Sequence, residues 1–109
     1  MMTTSGGGPP GRIILRGDPD LRDLVPGYLE NRRKELPRLR EALAQNDFSA
    51  IQRLAHRMKG EGGGYGFEAI STIGAGLEQA AKDRNAAAAQ AGLRDLASYL
   101  DRVQVLYDE

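Results

Sequence analysis

The chain has 109 residues, the length of a single domain, and its 40% hydrophobic and 28% charged residues are too apolar for a disordered protein. Fifteen basic residues balance fifteen acidic ones, so no net charge favours nucleic acid or a membrane surface as a partner. The absence of cysteine excludes disulfides and thiolate metal sites, and with no signal pattern or long apolar run we expect a cytoplasmic protein.

The first 17 residues are predicted to form a flexible leader, because residues 1–11 are rich in Gly, Pro and Thr and have little to bury. Residues 18–109 are then the folded domain. Asp18 and Pro19 are suited to an N-cap and a first helical position, and they predict a short helix near 19–25. Apolar residues continue at helical spacing as far as Leu43, which predicts a longer helix over 27–45, bent around Pro37. The basic run at 32–34 is more typical of a solvated face than of a binding patch.

Three further helices are predicted from the same spacing. The first follows the capping residue Asp47 and enters a glycine cluster at 60–66, where we expect Gly66 to be a left-handed turn residue. The second runs from about Phe67 to a break at 83–85, and the last continues almost to the C-terminus. No segment alternates like a strand. The sequence therefore predicts an all-α fold, an antiparallel up-down four-helix bundle with a short N-terminal extra helix.

His56 is the only histidine, and it falls on the helix that enters the glycine cluster. At about 100° per residue, the apolar positions Ile51, Leu54 and Met58 lie on the opposite side of this helix. The imidazole is therefore predicted to point away from the core. A lone exposed histidine taken without context is more often a surface residue than a functional one.

Two kinds of neighbour of His56 favour a functional interpretation. Gly60 and Gly63 lie one and two turns further along the same face, where Ala would stabilise the helix by about 0.5–1 kcal/mol per position. Glycine leaves room for another macromolecule to approach the ring. Lys59 is a poor neighbour for an imidazolium but a good one for an anion carried by the ring. Together these residues indicate a histidine that carries a phosphoryl group.

The stretch from Ala55 to Gly60, followed by Gly66 and by Leu77-Glu78, resembles the signature of histidine-containing phosphotransfer (HPt) domains of bacterial two-component relays. The resemblance covers roughly residues 18–107. It implies that His56 is the phosphoacceptor, that Lys59 is the cation beside the phosphate, and that Gly60 gives the partner access.

The same resemblance implies transfer between His56 and an aspartate of a receiver domain, belonging to a response regulator or a hybrid histidine kinase. The receiver contributes Mg²⁺, and the bundle needs no cofactor or metal of its own. We expect Gln52, Arg53 and Gly63 to contact the partner. The sequence shows no carboxylate spaced to hold the imidazole, and a neutral ring is nucleophilic without an activating partner. We expect a monomeric phosphocarrier without kinase activity of its own, since the fold completes its own core.

Three other functions compete with phosphotransfer. A helical adaptor could keep the bundle and bind signalling partners without being phosphorylated, although the joint presence of His56, Lys59 and Gly60 argues against it. A histidine-dependent hydrolase would need a partner acid and oxyanion donors, which the sequence does not offer. A histidine-kinase dimerisation module should carry an acidic residue directly after the histidine, where this chain has Arg57.

Overall fold

A computed structural model describes residues 11–107 of the chain; residues 1–10 and 108–109 lie outside it, so the leader prediction for residues 1–10 stays a prediction. Four helices and two short strands form the described part. Their bounds are β1 Ile13–Gly17, α1 Val25–Ala44, α2 Phe48–Gly62, α3 Glu68–Lys82, α4 Ala86–Arg102 and β2 Val103–Tyr107. The prediction of a mostly helical chain with four helices is confirmed, while the antiparallel up-down order stays a prediction.

The prediction that no segment forms a strand is wrong. Strands β1 and β2 pair in parallel, with Ile13 opposite Val103 and Gly17 opposite Tyr107. Parallel strands need a long crossover, and here the four helices supply it. Strand β1 lies within the segment 1–17 that was predicted as a leader, so the folded part begins before residue 18. The β-branched residues of both strands favour an extended conformation, and burial alternates along each strand.

The start of the helical part also differs from the prediction. In place of a helix near 19–25, Pro19–Leu21 form a single 3-10 turn, in which the Asp18 carboxylate accepts the backbone N–H of Asp20. Helix α1 then begins at Val25 with Pro26 in its first turn. Backbone N–H groups in the first turn have no partner within the helix, so the lack of an N–H in proline costs no hydrogen bond there. Pro37 lies inside α1, as predicted.

The core lies between the helices and contains the apolar stripes that the spacing predicted. Its fully buried large side chains come from all four helices and from the residue before α3: Leu39, Ile51, Met58, Phe67, Ile70, Leu77 and Leu96. Strand residues Leu15 and Val105 are partly buried and pack against this core. Ion pairs also join α1 to α2. Buried Arg32 pairs with buried Glu35 on α1 and with Glu61 on α2, and its Nη1 lies 2.8 Å from Oε1 of Glu61. Arg32 was expected on a solvated face, and that expectation is wrong.

The glycine cluster ends α2 and turns the chain into α3. Helix α2 stops at Gly62, a 3-10 turn follows at Gly63–Tyr65, and Gly66 adopts φ 88°, a left-handed conformation that favours glycine. The prediction that Gly66 is a left-handed turn residue is therefore confirmed. This sharp turn leads into α3, which packs against α2, and the two helices together carry the residues around His56.

Candidate functional site

The phosphoacceptor candidate, His56, lies midway along α2 with its side chain 67% exposed. The same helix buries Ile51, Ala55 and Met58 completely, so the imidazole projects from the face opposite the core. Asp47 fixes the start of the helix, because its carboxylate accepts the backbone N–H of Ala50 at 3.1 Å. The predicted exposure of the ring is confirmed by these placements.

The imidazole is not free, because Glu78 on α3 holds it. Nδ1 of His56 lies 2.8 Å from Oε2 of Glu78. The expectation that no carboxylate is spaced to hold the ring is wrong, since the two residues are 22 positions apart and only the packing of α3 against α2 joins them. Sequence spacing within one helix could not show this contact.

Lys59 binds the other oxygen of the same carboxylate. Its Nζ lies 2.9 Å from Oε1 of Glu78, while the Lys59 side chain stays 44% exposed. The hydrogen bond from Lys59, followed by that from His56, lowers the pKa of Glu78 below its usual value, against the opposing effect of desolvation. Glu78 is therefore ionised at neutral pH and can only accept hydrogen bonds.

The charge of Glu78 decides which nitrogen of His56 can react. An ionised carboxylate needs a donor, so Nδ1 of the neutral ring carries the proton and Nε2 carries the lone pair. Among residues 11–107, no side chain or backbone group makes a hydrogen bond to Nε2 of His56. The arrangement thus presents a nucleophilic nitrogen to solvent in a fixed orientation.

Glu78 occupies a position that would ordinarily hold an apolar residue. It is 6% exposed and shares the inward face of α3 with Ile70, Gly74, Leu77 and Ala81. A buried carboxylate must be paired, because removing a charge from water is costly. An acid inside an apolar helical stripe was thus the available sequence signal. Such a signal indicates that the acid has a partner, but it does not identify the partner as His56.

The residues named as partner contacts divide between two places. Gln52 and Arg53 line an open groove of about 990 Å³ beside His56. Gly60 is exposed, and a Cβ at its position would meet nothing within 4 Å, which agrees with the expected clearance. Gly63 instead lies in the 3-10 turn and lines a smaller cavity of about 210 Å³ next to β1. The structure does not bring Gly63 to the groove.

The groove beside His56 is rich in cations. Arg38 of α1 and Arg53 and Arg57 of α2 line it, with Leu54 and Ala50 as its apolar part. Arg57 lies 3.9 Å from the buried carboxylate of Glu35. A surface of this composition favours an acidic partner that also offers some apolar contact.

Neither a metal-ligand cluster nor a membrane-spanning helix is found in the part of the chain that is described. Between residues 11 and 107, no three His, Cys, Asp or Glu side chains come together as ligands for a metal ion. Within the same range, no helix combines the length and the hydrophobicity needed to cross a bilayer.

A comparison with protein families agrees with the geometry. The family model of the Hpt domain matches residues 23–105, about three quarters of the chain, and the protein belongs to this family. The family carries out histidine phosphotransfer in phosphorelays and interacts with receiver domains. The match begins before α1 and ends in β2, so it includes all four helices. No curated protein and no solved structure matches the chain.

Proposed function

We propose that this protein relays a phosphoryl group between His56 and the aspartate of receiver domains in a bacterial two-component phosphorelay. The observation that carries the proposal is the 2.8 Å contact of Nδ1 with a buried, ionised carboxylate on an otherwise exposed ring. This contact fixes the tautomer and leaves Nε2 free on the solvent side. A histidine that served only as a surface residue would have no need of a buried carboxylate.

The transfer step follows from that tautomer. The lone pair of Nε2 attacks the phosphorus of the partner's aspartyl phosphate, a P–N bond forms, and the P–O bond to the aspartate breaks. The aspartate carboxylate leaves with the bonding electron pair. The ring then carries a positive charge, and its Nδ1 proton stays hydrogen-bonded to Glu78, which stabilises that charge. The reverse step returns the phosphoryl group to another receiver.

Lys59 contributes to the transfer step in two ways. Its ammonium keeps Glu78 ionised before transfer. Its Nζ also lies on the same side of the site as the ring, because both groups bind one carboxylate, and it can therefore attract the phosphoryl oxygens. Mg²⁺ is expected on the receiver domain, where it shields the charge of the donor phosphate. We expect no cofactor bound to this chain.

Docking of the two proteins contributes the rest of the rate of transfer, because it holds the two reacting groups in line. The groove beside His56 supports contacts of Gln52 and Arg53 with the receiver, and the bare surface at Gly60 lets the partner approach the ring. Gly63 stays a predicted contact, in the 3-10 turn that follows α2. We expect the protein to act as a cytoplasmic monomer, and sedimentation analysis of the purified chain tests the monomeric state directly.

The decisive experiment follows the phosphoryl group. A ³²P-labelled phosphorylated receiver is mixed with the wild-type protein and with His56→Gln in the presence of Mg²⁺, and acid-labile label on each is measured. We expect label on the wild type and none on His56→Gln. Equal labelling of both proteins, or labelling of neither by any receiver, contradicts the proposal and favours a non-catalytic adaptor.

The docking surface has its own test. Arg53→Gln removes a cation that makes no ion pair with any other residue in 11–107, and it should slow transfer mainly at low salt, where electrostatic steering is strongest. Arg94→Gln is the matched control, because Arg94 is exposed on α4 away from the groove. An equal slowing by both variants contradicts docking at this groove.

A further inference from the structure

Helix α3 lies very close to the backbone of α2 at the turn that follows His56. A Cβ built on Gly74 would lie 2.7 Å from the backbone nitrogen of Lys59 and 3.0 Å from the backbone oxygen of Ala55. Real Cβ atoms essentially never come within 3.0 Å of other atoms, and both of these neighbours are backbone, which no side-chain rotation can move away. Gly74 therefore sets the distance between the two helices at this turn.

The same residue stands one helical turn before Glu78. Residues four apart lie on one face of a helix, about 6 Å along its axis. Glu78 thus lies one turn beyond this close contact, and its side chain reaches both His56 at 2.8 Å and Lys59 at 2.9 Å. A hydrogen bond between Ser71 and the backbone oxygen of Lys59, at 2.7 Å, joins the two helices on the other side of Gly74.

We propose that Gly74 is a positioning residue for phosphotransfer, because the close helix contact that it permits brings the Glu78 carboxylate within hydrogen-bond distance of His56. The inference rests on the proposed function for its effect on transfer, but its structural part concerns the free protein. Gly74 touches neither the phosphoryl group nor the partner, and it acts only through the spacing of α2 and α3.

A methyl group at position 74 must move the helices apart. Ordinary contact for a Cβ begins at 3.4 Å, so the helices must separate by roughly 0.5–1 Å at this point. A hydrogen bond of 2.8 Å lengthened by that amount is lost or severely weakened. Misplacement of about 1 Å near a reacting group costs about 100-fold in rate. Gly74→Ala should therefore lower transfer by about 10–100-fold and release Nδ1 of His56.

The tautomer of His56 can be measured without any partner. Because His56 is the only histidine, ¹⁵N NMR of the uniformly labelled protein gives one unambiguous pair of ring nitrogens. We expect the wild type to hold the Nδ1–H tautomer and Gly74→Ala to shift toward Nε2–H. Gly76→Ala is the matched control on the same helix, since a Cβ there meets nothing within 4 Å.

A second control separates positioning from general destabilisation. A Cβ at Gly62 would lie 2.7 Å from the backbone nitrogen of Ser71, so Gly62→Ala strains the same pair of helices, two turns from Glu78. We expect Gly62→Ala to lower the melting temperature as much as Gly74→Ala does while keeping the wild-type tautomer. Equal tautomer shifts in both variants, or none in Gly74→Ala, overturn the proposal.

A shorter side chain tests the same spacing from the other partner. Glu78→Asp shortens the reach by about 1.5 Å and leaves the helix contact at Gly74 intact. If the spacing is set at Gly74, the shortened carboxylate cannot reach Nδ1, and the Nε2–H tautomer should appear even where Gly74→Ala does not fold. Retention of Nδ1–H in Glu78→Asp overturns the proposal. Failure of phosphotransfer in the wild type, with the tautomer results as expected, would contradict only the proposed function.

Discussion

Replacing Glu78 with Gln keeps the shape of the side chain and removes the charge that His56 and Lys59 share. A carboxylate accepts hydrogen bonds at both oxygens, whereas an amide accepts at one end and donates at the other. If the amide oxygen faces the ring, its NH₂ group opposes the Lys59 ammonium. If the amide is reversed, Nδ1 must accept, and Nε2 becomes protonated and cannot attack phosphorus.

Both orientations of the amide therefore impair transfer. Removal of the partner that orients a metal-binding histidine lowers activity by about 10–100-fold, and by analogy we expect a loss of this size for Glu78→Gln. The rate is measured by rapid mixing with an excess of labelled phosphorylated receiver, followed by quenching in alkali and detection of phosphohistidine. Glu68→Gln is the matched control, because Glu68 is an exposed acid in the first turn of the same helix.

Two results would refute this reasoning. A wild-type rate for Glu78→Gln would show that the contact at Nδ1 does not govern attack by Nε2. A loss of equal size in Glu68→Gln would show that the effect comes from net charge rather than from the contact with His56. Circular dichroism at the assay temperature confirms that each variant is folded.

Three further predictions concern stability and are measured by urea unfolding. Because the pKa of Glu78 is lowered in the folded state, the ionised carboxylate stabilises the fold at neutral pH, and this stabilisation is lost as the pH falls below the usual glutamate pKa of 4.5. Glu78→Gln lacks this carboxylate, so its free energy of unfolding should fall less in acid than that of the wild type. Gly62→Ala should lower the free energy of unfolding by about 1–3 kcal/mol because the new methyl group clashes with α3, whereas a methyl group in Gly64→Ala contacts no other atom. Equal effects of the two substitutions contradict a packing role for Gly62. Leu15→Ala should lower the free energy of unfolding by about 1–2 kcal/mol, because Leu15 packs against the core. Ile14→Ala, at an exposed position on the same strand, should lower it by less than about 0.5 kcal/mol, and equal losses contradict the observed strand orientation.

The helices were predictable because their signals are local. Apolar residues at helical spacing, the cap at Asp47 and the break at 83–85 each act within a few residues of the structure they determine. The exposure of His56 followed from the same periodicity. The left-handed turn at Gly66 was likewise predicted, since few other residues adopt a positive φ without strain.

The strands were missed because their stability is not local. Val103 and Tyr107 also fit the helical spacing of α4, and a five-residue strand forms only when a partner satisfies its backbone groups. That partner is β1, about 90 residues away in the chain. The isoleucines at 13 and 14 were a weak signal of a strand, which the neighbouring glycines and prolines obscured.

By itself, the sequence determined four amphipathic helices, the outward direction of the imidazole and the small residues beside it, because these depend on spacing along one helix. The tertiary structure decided that Glu78 holds Nδ1 and that Lys59 shares the same carboxylate. The physical reason is that this contact depends on the separation of two helices to within about 1 Å. That separation is set where Gly74 meets the backbone of α2, and helical periodicity contains no information about it.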